Sequence, residues 1–541
     1  MPVVLALGWL AYETWVVVGL EVMVAGSQDR LVEVEPVERP VVEPPDSAGL
    51  AGTKTFRAYD QDQTFLLPPS LDDWLPEGHL ARMIDALVED TLDLSPILVS
   101  YAGERGFPPY DPRLMLKVLL YGYATGVTSS RKLASSCEQD VAMRFLAANQ
   151  TPDHRSIAKF RQRHLAAFEE LFVQVLQLAS RSGLVSLGRV ALDGSKVRAN
   201  ASRHKAMSYA RMGPRERQLA EELEALRAKA AEVIADAEAT DAAEDERFGD
   251  ARGDELPAEL ASKEARLATL RAAKQALEDE AAEAAAENER GKAARKARRQ
   301  ATRKAEADGA DPDEIEAAAD EAEAATINDP EVASSAEEAA GQAVPKPTAQ
   351  RNFTDPDSRI MKTSDKSFHQ CYNAQAIVDE RHQIIVASRL TDQAADAPAL
   401  PGMLERLAAD LGRLPVQLLA DAGYFSEDNV AHCADVGVDA LIATGRFRHN
   451  DPPPPAPRGP IPKGATVKQS MARKLSTKAG RAGYARRKAI VEPVFGQMQT
   501  RQNAGQVRLR GLEAAAGEHR LHALVHNILK IFTADTAPAT T

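Results

Sequence analysis

Residues 204–345 constrain most strongly what this chain can fold into. The stretches "RERQLAEELEALRAKAAEVIADAEA" and "ELASKEARLATLRAAKQALEDEAAEAAAENERGKAARKARRQATRKAEAD" carry apolar residues at helical spacing and almost no aromatic side chains. They predict two or more long helices, an antiparallel hairpin turning at "GDARGDELP" (249–257), then a loose acidic tail over 306–348. Strand-like sequence stands on both sides. "RVALDG" precedes the helical stretch; "YNAQAIVD" (372–379), "QIIVASRL" (383–390), "PVQLLADAG" and "VDALIAT" follow it. One sheet therefore has to be assembled from distant parts of the chain, with a helical module inserted after its first strand.

The net charge of −13, taken alone, argues against a polyanionic partner. Its distribution reverses that. Residues 215–345 hold 35 acidic and 18 basic side chains, a net of −17, so the rest of the chain stands near +4. Within that rest, 443–510 carries 15 Lys or Arg against only Asp451 and Glu492. A solvated acidic module and a concentrated basic surface share one chain. Cys137, Cys371 and Cys433 form no CxxC pair, which argues against a disulfide framework or a structural zinc site and fits a reducing cytoplasm. The opening "MPVVLALGWLAYETWVVVGLEVMVAG" has the apolar run of a membrane segment. It lacks a basic n-region, however, and Glu13 and Glu21 interrupt it. The expectation is no membrane segment, a true start at Met23 and a disordered leader within 1–54.

Residues 55–185 read as an all-α, helix-turn-helix-like bundle of short helices parted by Pro, Gly and Ser/Thr signals. Its last helical stretch, "DHRSIAKFRQRHLAAFEELFVQVLQLASRSG", crowds Arg155, Lys159, Arg161 and Arg163 into the first turns, which makes them candidates for phosphate contact. An α/β domain follows, built from 186–203 plus 350–510 as a mixed sheet flanked by helices. The helical insertion of 204–349 interrupts it, and 511–541 closes the chain as a helix and tail. Residues 445–480 read as a Pro/Gly-rich basic loop.

The chemistry is carried by a repeated pattern. In "RVALDGSKVRANAS" a buried run ends at Asp193, followed by a turn at Gly194-Ser195. In "LLADAGYFS" a second buried run ends at Asp421. An unpaired carboxylate at the end of a core strand is costly to bury, and open sheets bind ligands at the carboxyl ends of their strands. Glu492 adds a third acid in "RRKAIVEPVFGQMQ", where Pro493 should start or kink a helix. Three carboxylates from two strand ends and one helix can hold two divalent cations roughly 4 Å apart for in-line phosphoryl displacement. Lys and Arg around them would bind a phosphodiester backbone.

These motifs resemble the DDE transposases of bacterial insertion sequences, in particular insertion-sequence family 1182. The resemblance spans about 55–535 through "TPDHRSIAKFRQRH", "LDGSKVRANAS", "NFTDPDSRIMK", "YNAQAIVD", "ADAGYFS", "EPVFGQM" and "RGLEAAAGEHRLHALVHNILK". It implies an RNase H-like core with Asp193, Asp421 and Glu492 as catalytic metal ligands for two Mg²⁺ or Mn²⁺ ions. It further implies Lys196, Arg198 and Asn200 facing double-stranded DNA (transposon ends and target), a homodimer, and a cytoplasmic, nucleoid-associated location. Related transposases carry a Tyr-Arg-Glu-Lys signature. Tyr484, Arg487 and Glu492 fit it, but the usual Lys is Gln499 here, with Arg501 as the nearby substitute. A metal-dependent nuclease of the same fold and an inactive DNA-binding relic are the alternatives.

Other residues have plainer readings. His522 and His526 have the i, i+4 spacing of a zinc pair with His519 on the same face, but Leu521, Leu524, Ile528 and Leu529 make this a packing helix. Asp355 and Asp357 fit turn chemistry, and Cys371 and Tyr372 read as strand entry.

Overall fold

The computed structural model describes residues 70–101, 109–202, 205–244, 258–445, 457, 459, 462 and 464–536, all within the compact unit Pro69–Thr541. The leader (1–54) and the expected turn at 249–257 lie outside these residues.

The chain begins as a helical bundle: α1 (Leu80–Ala86), α2 (Ser95–Leu98), α3 (Pro112–Ala124), α4 (Ser130–Gln139), α5 (Val141–Leu146), α6 (His154–Arg163) and α7 (Leu165–Arg181). Local chemistry sets these boundaries. Asp111 caps α3 through Arg113 N with Pro112 at its first position, and Asp153 accepts from Arg155 N and Ser156 N to start α6. The single helix expected over 154–183 is broken at His164, which is buried and stacked on Tyr101.

The sheet has strands β1 (Arg189–Arg198), β4 (Arg359–Lys362), β5 (Phe368–Asp379), β6 (Ile385–Thr391), β7 (Gln417–Ala420) and β8 (Asp439–Ile442). The short β2 (Ala206–Ser208) and β3 (Gln350–Asn352) pair separately at the root of the insertion. Within the sheet β1 runs antiparallel to β5 and parallel to β7, β7 runs parallel to β8, and β6 and β4 both pair with β5. This is a mixed α/β fold, consistent with an RNase H-like domain. β1 is thus the hub that joins both halves of the sheet. It runs through Gly194-Ser195 without turning, because its register against β5 holds from Val190↔Asp379 to Arg198↔Cys371. The expected turn is absent.

The insertion comprises α8 (Tyr209–Glu244), α9 (Ala258–Ala307), α10 (Pro312–Ile327) and α11 (Pro330–Gln342). The tail expected to be loose is mostly helix. Asp311 and Asp329 cap α10 and α11 with Pro at the first position, and both helices pack on α9. Arg298 pairs with Asp320 and Glu323 across that contact.

After the sheet come α12 (Ala399–Leu411), α13 (Glu427–Asp435), α14 (Val467–Ser476), α15 (Lys478–Thr500) and α16 (Leu512–Thr536). The last third of the expected basic loop is therefore helical, started by a capping box at Thr466/Gln469 and by Thr477 accepting from Gly480 N. α15 passes straight through Pro493, which neither starts nor ends it. The proline leaves Ala489 O without its helical donor, and Gln383 Nε2 donates to that oxygen at 3.0 Å. α16 packs on α3, α7 and β6; Asn527 ties it to the sheet by bonding both Ile385 N and Ile385 O at 2.9 Å.

Candidate active site

The register of β1 against β7 sets Leu192 beside Ala420, so Asp193, midway along β1, and Asp421, just past the end of β7, follow side by side. Neighbouring strands are about 4.8 Å apart. Asp193 Oδ1 accepts from Gly194 N at 2.9 Å, and Oδ2 accepts from Arg487 at 2.8 Å. Burial pushes the Asp193 carboxyl up from its ordinary range and Arg487 opposes this, while the negative charge of Asp421 pushes the same way as burial. Asp421 Oδ1 accepts from Gly423 N at 2.8 Å, capping the tight turn Ala422–Tyr424.

A further acid, Asp396, enters from the loop before α12. Its Oδ1 accepts from Asn373 Nδ2 at 2.7 Å, Gln375 Nε2 at 2.9 Å and Lys196 Nζ at 3.2 Å. Buried Tyr424 donates its hydroxyl to Gln375 Oε1, extending the network from the Asp421 turn to Asp396. Burial and the charges of Asp396, Asp193 and Asp421 raise the Tyr424 phenol pKa, which keeps it protonated as that donor. Asn429 Nδ2 then bonds Ala397 O and Tyr424 O, pinning together the loops that carry Asp396 and Asp421. Sequence reasoning did not find Asp396. The available signal was the pair of amides, Asn373 and Gln375, two apart on a buried strand.

Helix α15 crosses this sheet end. Arg487 is buried against Asp193, Tyr484 is half-buried beside it, and Gln499 Nε2 donates to Ser195 Oγ at 2.9 Å. Glu492 is exposed on α15, seven residues before Gln499 and so on the same stripe, about 10 Å along the axis. Among the described residues no three His, Cys, Asp or Glu side chains cluster closely enough to hold a metal ion. The sheet thus brings Asp193 and Asp421 together, while Glu492 stands apart on the helix. The donors are hard oxygens, and Asn373 Oδ1 is a buried acceptor with no hydrogen-bond partner. Such oxygen donors suit a hard divalent cation rather than a soft metal.

The other expected contacts divide. Arg155 and Lys159 are exposed on α6 and, with Arg131 and His154, line an open groove on the bundle. Arg163, also exposed, donates to Ser100 O and lies over the Tyr101 ring. Arg161 is the correction: it is buried and donates to Tyr123 Oη and Thr128 O, so it is not on the exposed basic face. Lys196 turns to Asp396 and Ala394 O, Arg198 pairs with Asp365, and Asn200 donates to Arg508 O. Arg501 is exposed at the end of α15.

His519, His522 and His526 are buried in α16, and burial lowers their pKa values to about 3, 3 and 4, so they pack as neutral rings. Asp355 and Asp357 accept from Gly511 N and Leu512 N at the start of α16, and buried Asp355 also takes the Tyr372 hydroxyl at 2.7 Å.

Asp193 within β1 and Asp421 just past the end of β7 thus lie side by side in a mixed sheet, crossed by a helix that delivers Arg487 to Asp193. Residues 343–528 match a family model described as Transposase DDE domain, and residues 69–163 match one described as Transposase domain (DUF772). Together the matches support a DDE transposase. No curated protein and no solved structure matches the chain. Asp193 lies outside both matched segments and joins the second through the pairing of β1 with β5 and β7 and through its bond from Arg487. Among the described residues no helix is long and apolar enough to cross a membrane.

Proposed function

We propose that the chain is the transposase of a bacterial insertion sequence of the family 1182 kind. It binds the terminal inverted repeats of its own element, cuts there, and joins the 3′-hydroxyl ends to target DNA. The observation that carries this reading is the placement of Asp193 on β1 beside Asp421 at the end of β7, with Arg487 of α15 bonded to Asp193. Asp193 and Asp421, with Glu492 from the helix, would hold the cations. Bound Mg²⁺ or Mn²⁺ supplies an activated attacking hydroxyl and charge neutralisation at the phosphate.

The chain's own groups do the rest. Arg487 fixes the Asp193 carboxylate, the Tyr424–Gln375 bond orients the Asp421 turn, and Gln499 sits against Ser195 at the mouth of the site. Arg155, Lys159 and Arg131 on the groove of the N-terminal bundle take phosphates of the element end. Arg163, Arg198, Asn200, Tyr484, Arg487, Gln499 and Arg501 form the wider DNA face. The enzyme works as a homodimer at the nucleoid, since two ends need two sites, and the α8–α11 module is the pairing arm.

The test incubates the protein with a plasmid carrying the gene's own flanking DNA and Mg²⁺ or Mn²⁺. Joined 3′ ends are the expected product. Cleavage without joining would make the protein a nuclease, and binding without cleavage an inactive relic.

A further inference from the structure

A glycine follows each of the two acids, Gly194 after Asp193 and Gly423 after Asp421, and both make room for the same side chain. A Cβ built on Gly194 would lie 2.9 Å from Asp396 Oδ1, 2.6 Å from Gln375 Nε2 and 3.1 Å from Asn373 Oδ1. A Cβ built on Gly423 would lie 3.0 Å from Asp421 Oδ1 and 3.1 Å from Asp396 Oδ2. Real Cβ atoms essentially never approach within 3.0 Å of another heavy atom, so Gly194 cannot be replaced without displacing this network. At Gly423 one oxygen of Asp421 and one of Asp396 approach the same point.

The two oxygens of Asp396 are treated differently. Oδ1 is saturated by Lys196, Asn373 and Gln375, whereas Oδ2 faces the Gly423 turn that carries Asp421. A carboxylate needed only as the counter-ion of Lys196 would not require two buried amides to fix its rotation. Asn373 adds an independent sign. It is fully buried, donates to Asp396 Oδ1 and Gln393 O, and leaves its own Oδ1 without a partner, close to the Gly194 side of the site. An unpaired buried carbonyl oxygen is costly and calls for an electropositive neighbour.

We propose that Asp396 is a fourth carboxylate of the site, aimed at Asp421 by Lys196, Asn373 and Gln375, and takes part in holding the divalent cation. The proposal rests on the metal-dependent reading above and adds to it a residue from outside both strand ends and α15. Asp396 sets how tightly the cation is held on the β7 side, and Asn373 keeps its free oxygen on the Gly194 side of the same carboxylate. Arg487 occupies Asp193 in this structure, so Asp421 and Asp396 are the carboxylates without an arginine partner.

The experiment measures Mn²⁺ binding to the full chain by electron paramagnetic resonance of the free ion, with a duplex of the gene's flanking DNA present. Asp396→Asn keeps the shape and removes the charge. Gly423→Ala keeps every carboxylate in the chain but sets a methyl group against the Asp421 and Asp396 oxygens, which must give way to it. Each is checked for a wild-type melting temperature without metal. Both should raise the Mn²⁺ Kd at least about tenfold, the scale on which groups around a metal site act. Wild-type affinity in folded Asp396→Asn, with binding lost in Asp421→Asn, would overturn the role of Asp396 and leave the broader reading standing. No Mn²⁺ binding by the wild type would overturn both.

Discussion

The sheet end and the helical insertion handle charge in opposite ways. At the sheet end and behind it, charges are buried and multiply bonded. Arg487 meets Asp193, Arg161 meets Tyr123 and Thr128, and Glu518 accepts from Arg508 N, Leu509 N and Tyr123 Oη. In the insertion, charges sit on helix surfaces and meet across α8 and α9, as in Arg227–Glu264 and in Arg271 and Lys274 with Glu216. Its apolar seam is thin: Leu219, Leu223, Leu267, Leu270 and Leu277 do most of the packing. Desolvated charges cost much when one partner is lost, whereas exposed pairs are each worth little. The first arrangement fixes atoms for chemistry. The second holds a long arm in water.

That contrast can be broken first at Glu518, which is fully buried and links the N-terminal bundle to the 505–509 segment that hydrogen-bonds β1 at Arg198. Glu518→Ala strands three donors and should cost about 3–5 kcal/mol, read by denaturant unfolding. A loss under 1 kcal/mol would place this residue with the surface pairs.

The buried histidines give the next effect. Their folded pKa values, about 3 to 4, lie below the unfolded value of about 6.5, so the unfolded chain binds more protons as pH falls. Stability is full above pH 6.5 or so and drops as pH falls from there toward 4. Melting temperature should decline from pH 7 to pH 5, and His522→Gln should flatten the decline. An unchanged slope in that variant would show that His522 does not titrate on unfolding.

The smallest effect is expected at Glu216, which pairs with Arg271 and Lys274 on the arm. Glu216→Ala should cost under about 1 kcal/mol, and less in high salt. A cost like that of Glu518→Ala would erase the distinction between the two regions.

What the sequence disclosed follows from the same physics. Buried runs ending in Asp193 and Asp421 stood out because hydrophobic periodicity is local and a terminal acid interrupts it. Asp396 did not, because it lies in the loop "TDQAADAPALP" among other turn residues, and its partners Lys196, Asn373 and Gln375 come from two strands. Arg161 read as one of four basic residues, although it lies four residues after buried Ile157 and so on the inward stripe. Pro493 suggested a helix boundary because the donor that replaces its missing N–H, Gln383, comes from a distant part of the chain. Order in α10 and α11 was missed because an acidic, Ala-rich stretch finds its stability in packing on α9 rather than in its own composition.

The most direct measurement compares wild type with Asp421→Asn for cleavage of a labelled duplex bearing the gene's own end, with Mg²⁺, with Mn²⁺ and with chelator. The account predicts cleavage at the element end that needs the cation and falls at least about a thousandfold in Asp421→Asn, with end binding retained. Cleavage that survives in Asp421→Asn, or proceeds equally with chelator, would contradict it.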